Sequence, residues 1–200
     1  MNVLVVCAVE AERAALADVK ADVVVGGPGA AAAAAAASRA LSAAVYDLVL
    51  CAGIGGGFAP LAPGQLAIAS ALVFADLGAE TPDGFVPASE LGFGATDRYD
   101  VPAKLAVELA DRTGGHLGTV LTVATVTGTA ATTAALSRRF PDAVAEGMEG
   151  AGVAAAATLH GVPFGEIRAV SNVVGPRDRE AWEIPRALES LGRAMATVVR

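Results

Sequence analysis

The chain lacks any apolar run long enough to cross a bilayer. Although 54% of its 200 residues are hydrophobic, the uninterrupted stretches are Ala-rich with helical character or short, as in Val3 to Val9, against the ~20 residues a spanning helix needs. A membrane protein is excluded on that ground. The start also lacks the basic segment and small-residue cleavage site of a secretory signal, since the first apolar run leads directly into Glu10, Glu12 and Arg13; the expectation is a cytoplasmic protein. Cysteine is scarce. Cys7 and Cys51 each close an apolar, strand-like run with no second thiol or histidine nearby, which reads as two free buried thiols rather than a disulfide or a metal site. His116 and His160 are the only histidines and stand far apart, without metal-ligand spacing, so no metal is expected. Positive charge is short as well: 14 Lys and Arg against 21 Asp and Glu leave a net charge of −7. No basic cluster offers the concentrated charge that phosphate contacts require, which argues against a nucleic-acid partner.

What is present is a repeating order of strand and helix signals in a chain of one-domain size, without a linker. Val3 to Val9 has the continuous apolar pattern of a strand covered on both faces, and the acids Glu10 and Glu12 open a helix after it. Val23 to Val25, an Ala-rich helix to about Ala44, and a strand from Leu48 to Cys51 complete a βαβαβ unit, and the third strand runs into a glycine-rich loop, Gly53 to Gly57. Further strand-like runs lie at Gln65 to Ala69, Ala71 to Phe74, Leu117 to Ala124 and Phe164 to Val170. Helices are expected at Val101 to Arg112, at Thr129 to Arg138, and from about Glu149. Ile184, Leu188, Leu191, Met195 and Val198 recur at helical spacing and give a last helix with one apolar stripe. The polar, Gly- and Pro-punctuated stretch from Leu77 to Gly94 is a candidate lid. The fold class is α/β, with three α/β/α layers around a mixed, mostly parallel sheet.

Two glycine motifs invite a functional reading. Gly27, Pro28 and Gly29 with Ala32 fit a dinucleotide fingerprint between strand and helix, but the nearest acid, Asp47, precedes the third strand instead of ending the second. A tight turn that lets an Ala helix pack closely explains these residues better. The other segments that an open α/β sheet would bring together at its strand ends are Glu10 and Glu12, Gly53 to Gly57, Met148 and Glu149, and Ser171 and Asn172. Glu10 reads as a first-turn acid complementing the helix dipole.

Those segments, in that order and spacing, resemble the nucleoside phosphorylase and nucleosidase superfamily over almost the whole chain. The matching stretches are Ala8-Val9-Glu10-Ala11-Glu12, Gly53-Ile54-Gly55-Gly56-Gly57, Gly147-Met148-Glu149-Gly150-Ala151 and Arg168-Ala169-Val170-Ser171-Asn172. Within the superfamily they are similar to the methylthioadenosine/S-adenosylhomocysteine nucleosidases and, more closely, to the futalosine hydrolases, which the run from Ser171 to Arg179 also resembles. The resemblance implies a nucleoside phosphorylase-like fold and hydrolysis of a purine nucleoside. In it Glu12 is the general base that activates water, Glu149 binds the ribose hydroxyls, and Met148 packs on the sugar. Gly53, Ile54 and Gly55 line the substrate, while Val126 and Thr127 stand where related enzymes hold the base. It further implies no cofactor, and a homo-oligomer, in the first instance a dimer.

Two departures carry chemical content. The adenine-specific nucleosidases resemble one another in an aspartate where this chain has Asn172; an amide N–H suits the carbonyl oxygen of a 6-oxopurine and the amide oxygen suits N7–H of the leaving base. Ile54 replaces a serine of the methylthioadenosine enzymes and suits an apolar wall near a bulky 5′ substituent, for which Arg98, Arg177 and Arg179 are candidate carboxylate partners. Phosphorylases of the superfamily hold phosphate with arginines near the first strand's end and the glycine loop, yet no Lys or Arg occurs between Arg39 and Arg98. Water is therefore the expected nucleophile.

Overall fold

The structure, a computed structural model, describes residues 1–94 and 96–199. β1 (Val3–Cys7) is buried along its whole length, because alternate side chains enter two cores: Leu4 and Val6 on one face, Val3, Val5 and Cys7 on the other. That two-sided burial is the cause of the unbroken apolar run. α1 (Glu10–Ala15), β2 (Asp22–Val25), α2 (Ala30–Ala43) and β3 (Leu48–Gly57) follow in the expected order, with β1 parallel to and between β2 and β3. Next come β4 (Leu66–Phe74), β5 (Gly78–Thr81), β6 (Gly84–Pro87), β7 (Arg98–Asp100), α3 (Ala103–Thr113) and β8 (His116–Thr122). The chain ends with α4 (Ala130–Arg139), β9 (Ala143–Gly147), α5 (Gly150–Leu159), β10 (Phe164–Val173) and α6 (Ile184–Val198).

Eight strands form one mixed sheet, parallel except where β10 meets β4, β3 meets β9 and β4 meets β7. The sheet curls until it closes: β3 pairs with both β10 and β9, β10 with β4, β4 with β8, and β8 with β9. α1 and α6 pack on one face, with α3 against α6; α2 and α5 pack on the other. The expected layers are present, while the closure is a long-range property that local periodicity does not encode. In α6 the stripe is seated by Leu191, Met195 and Val198 together with the small Ala187 and Ala194, whereas Ile184 stays 37% exposed. Cys7 and Cys51 are free and buried, and among the described residues no helix is long and apolar enough to cross a membrane.

Three local expectations change. The glycines after Cys51 are not a loop but the second half of β3. They are needed there because neighbours close on the strand from both sides: a Cβ at Gly57 would sit 2.8 Å from Val170 Cγ1, and one at Gly53 would meet Glu12 and Arg168. The runs around Ser70 are a single strand, β4, with a register shift between Ala69 and Ala71. The candidate lid folds into a separate hairpin of β5 and β6 followed by a 3₁₀ turn at Ala88–Glu90.

Candidate active site

At the end of β1 the chain turns into α1 through Val9, and Glu12, in the first turn of that helix, folds its carboxylate back over the strand end. Its Oε2 accepts from the backbone N–H of Ala8 at 2.8 Å and of Val9 at 3.2 Å, and its Oε1 from that of Ile54 at 2.9 Å. The carboxylate thus bridges β1 and β3 and is only 3% exposed. Gly53 makes this approach possible, because a Cβ there would stand 2.6 Å from Glu12 Oε1 and 2.7 Å from Arg168 Nη1. Glu10, by contrast, is exposed and pairs with Arg13 at 2.7 Å, as a first-turn acid does.

Glu149 sits at the start of α5 without capping its own helix. Its Oε1 accepts from the N–H of Gly29 at 3.0 Å, and its Oε2 lies 3.0 Å from Arg168 Nη2. The Gly27–Gly29 turn therefore gains a definite purpose: both glycines have positive φ, 91° and 96°, which aims an N–H at a carboxylate 120 positions away in the chain. The same turn brings α2 against α5 so closely that a Cβ at Gly152 would strike the Ala30 carbonyl, in keeping with the packing explanation of the motif.

Arg168, on β10, is the organising cation. It is fully buried, and its guanidinium reaches Glu166 through Nε at 2.6 Å, the Ile54 carbonyl through Nη1 at 3.2 Å and the Cys51 sulfur through Nη2 at 3.2 Å, besides Glu149. Burial pushes the Glu166 carboxyl up from its ordinary value and the Arg168 charge pulls it back. Such a pair is tolerated because one guanidinium compensates two carboxylates and meets two backbone or sulfur acceptors at once, with Glu166 Oε2 left without a hydrogen-bond partner among the described residues.

β10 continues past Val170 to a register shift, after which Asn172 pairs with Gly56. Asn172 Oδ1 accepts from Ser171 Oγ at 2.8 Å and its Nδ2 donates to the Val173 carbonyl at 3.1 Å. Around these groups lies a cavity of about 280 Å³ whose lining includes Glu12, Ile54, Gly55, Met148, Glu149, Asn172, Val126 and Thr127. Gly53, also expected at the site, does not line it and lies instead against the Glu12 carboxylate. Arg98 and Arg179 also stay off the lining, whereas Arg177 joins it. Arg179 lies 5.8 Å from the Trp182 ring and Arg177 5.4 Å. A second cavity of about 590 Å³, walled by Phe74, Leu77 and Val123, adjoins the first across Pro28 and Met148.

Sequence reasoning missed three residues of the first cavity. Arg168 stands in one of the matching stretches without a role there, although a lone arginine inside a buried strand is a signal. Trp182, the single tryptophan, lines the cavity as its aromatic wall. Glu146 belongs to β9, a strand not foreseen; its carboxylate accepts from Thr127 N at 2.8 Å and from Thr127 Oγ1. Burial raises the Glu146 carboxyl, with the two Thr127 donors acting the other way.

The model of the Phosphorylase superfamily matches residues 4–200. Futalosine hydrolase of Streptomyces coelicolor is 59% identical over 157 residues, which cover 78% of this chain and 66% of that enzyme. Futalosine hydrolase of Acidothermus cellulolyticus is 49% identical over 182 residues, 89% of this chain and 75% of the relative. The chain thus aligns with about two thirds to three quarters of the length of these two relatives. In fold it is similar to the S-adenosylhomocysteine nucleosidase of Streptococcus pyogenes, with a TM-score of 0.85 and 20% identity over 98% of this chain and 95% of the other. The futalosine hydrolase of Helicobacter pylori gives a TM-score of 0.82 and 17% identity, covering 98% and 96%.

Proposed function

The chain belongs to the phosphorylase superfamily, and from that membership we propose that it hydrolyses the N-glycosidic bond of futalosine, releasing hypoxanthine and dehypoxanthine futalosine for menaquinone synthesis. The observation that carries the reading is the convergence of Glu12, Glu149 and Asn172 on one cavity of about 280 Å³, joined with the identity to two futalosine hydrolases.

In the proposed reaction Glu12 takes a proton from water as the water oxygen bonds to the anomeric carbon, and the electron pair of the broken C–N bond leaves with the purine. Glu149, fixed by Arg168 and Gly29, accepts from the ribose hydroxyls and favours the positive charge that develops on the sugar. Met148 packs on the sugar, and Asn172 reads the 6-oxo group and N7 of the base. Ile54, Gly55, Val126 and Thr127 complete the walls, and the adjoining cavity past Met148 gives room for a bulky group beyond the 5′ position.

Water rather than phosphate is the nucleophile in this reading because the buried cation of the site is already committed: Arg168 meets Glu149 and Glu166, and Arg13 pairs with Glu10 away from the cavity. The protein works in the cytoplasm and as a homodimer; the dimer is favoured by exposed apolar side chains at Leu77 and Phe93, and sedimentation velocity tests it. The reaction is tested by chromatography of hypoxanthine and adenine released from futalosine, inosine and methylthioadenosine in phosphate-free buffer. Hypoxanthine from futalosine, reduced by roughly 10²- to 10⁴-fold in Glu12→Gln, is the expected result. Adenine release, or activity only with added phosphate, overturns it.

A further inference from the structure

Asn172, Gly56 and Glu146 are register partners on three adjacent strands: β10 pairs Asn172 with Gly56, and β3 pairs Gly56 with Glu146. Register partners share a face, so the amide and the carboxylate stand on the same side, two strand spacings or about 10 Å apart, with a glycine between them that contributes no side chain. Both line the cavity. The space directly over Gly56 is taken by Val174, whose Cγ2 would stand 2.8 Å from a Cβ there, so it is as lining of the cavity that the amide and the carboxylate come together, while Glu12 and Glu149 serve the sugar.

Glu146 has no task in the mechanism above. It is 5% exposed, and its partners are Thr127 N and Thr127 Oγ1. A carboxylate offers about four acceptor directions, so Thr127 orients the group and leaves it able to accept another hydrogen bond. Burial acts against its charge, a cost that purely structural packing could avoid with an apolar side chain. The chemistry of a 6-oxopurine supplies the missing partner. Asn172 has groups for O6 and N7, but the ring also carries an N1–H donor that is buried when the base is bound and requires an acceptor. In adenine N1 is itself an acceptor and faces a carboxylate unfavourably.

We propose that Glu146 is a specificity-determining residue that accepts the N1–H of a 6-oxopurine and rejects a 6-aminopurine, lining with Asn172 the part of the cavity that holds the base. The inference rests on the nucleosidase reading and extends it from one base-reading residue to a pair.

The test compares kcat/KM of the unaltered protein, Glu146→Gln and Glu146→Ala on futalosine, its N1-methyl derivative and its 6-amino analogue. Removal of the carboxylate lowers kcat/KM for futalosine roughly 10- to 100-fold, while the N1-methyl derivative, which has no N1–H to lose, is unaffected or improved. In Glu146→Gln, whose side chain keeps the shape and can donate to N1 of an aminopurine, the preference for futalosine over the 6-amino analogue shrinks by roughly tenfold or more. Equal losses on all three nucleosides by folded Glu146→Gln overturn the proposal and reduce Glu146 to a support for Thr127. Failure of the unaltered protein to release hypoxanthine from futalosine overturns the nucleosidase reading itself, a distinct outcome.

Discussion

Nη2 of Arg168 stands 3.0 Å from Oε2 of Glu149, with both side chains closed off from solvent. The same guanidinium holds Glu166 at 2.6 Å, so one cation compensates two buried carboxylates. Replacing it with an apolar residue of similar length strands both. Arg168→Met is expected to lose about 3–5 kcal/mol of stability, read from urea denaturation. Arg168→Lys keeps the charge but not the planar fork and falls between the two. In whatever fraction of Arg168→Lys folds, Glu149 is less firmly held, and the effect on the enzyme appears as a higher KM for nucleoside.

Gly53→Ala addresses the same cluster from the backbone side. The added methyl would lie 2.6 Å from Glu12 Oε1 and 2.7 Å from Arg168 Nη1, so at least one of two buried, hydrogen-bonded side chains must move. A loss of about 1–3 kcal/mol is expected from the crowding, with a fall in kcat that exceeds any change in KM, since the displaced group is the base proposed to activate water. Gly29→Ala is a contrast: no atom lies within 4 Å of the added carbon, but its φ of +96° makes the cost one of backbone strain, felt through the N–H that Glu149 accepts. Thermal denaturation beside steady-state kinetics separates the two variants.

How much of this was legible before the structure depended on the range of the cause. The run Val3 to Val9 reads as a two-sided strand, and Val3–Cys7 is one because its alternate residues enter two cores, whereas Val9 already caps α1 and is exposed; Glu12, Glu149 and Asn172 are legible from motifs at strand ends. The glycines of β3 misled, since glycine normally weakens strands; their reason is the approach of Glu12, Arg168 and Val170 from distant segments. β9 was invisible because Ala143–Gly147 has little intrinsic strand preference and is a strand only through pairing with β8 and β3. With β9 went Glu146, whose importance lies in standing across Gly56 from Asn172, a relation of three strands that no single-segment pattern contains.

The thiols offer a pH-dependent prediction. Burial, followed by the neighbouring Glu12 and Glu10 charges, pushes Cys7 up to about 12, and burial carries Cys51 upward as well. A thiol whose folded pKa exceeds its unfolded value stabilises the fold below that unfolded value, and the contribution is lost as pH rises towards the folded one. The native protein is therefore expected to leave both cysteines unreactive to a chromogenic disulfide at pH 8 and to release two equivalents only in denaturant. Its denaturation midpoint should decline as pH climbs from about 9 towards 12. Rapid labelling of either cysteine in the folded protein at pH 8 contradicts the burial of that thiol.

Asn172→Asp tests the base assignment most sharply, because it changes one donor into an acceptor with almost no change in volume. In the structure the amide is oriented by Ser171 Oγ at 2.8 Å on its oxygen and by the Val173 carbonyl at 3.1 Å on its nitrogen. An aspartate keeps the first contact but has no N–H to give the Val173 carbonyl or the O6 of a 6-oxopurine, so two oxygens are set against each other in a half-buried site. Activity on futalosine is expected to fall by about 10²-fold or more, and release of adenine from a 6-amino nucleoside to rise in relative terms as the carboxylate accepts from the exocyclic amine. With Glu146 retained, that rise should stay incomplete, since N1 of adenine still faces an acceptor; the double variant with Glu146→Gln should exceed the product of the single effects. Strictly independent effects in the double variant, read as kcat/KM ratios for the two nucleosides, would mean that Asn172 and Glu146 do not read the same base.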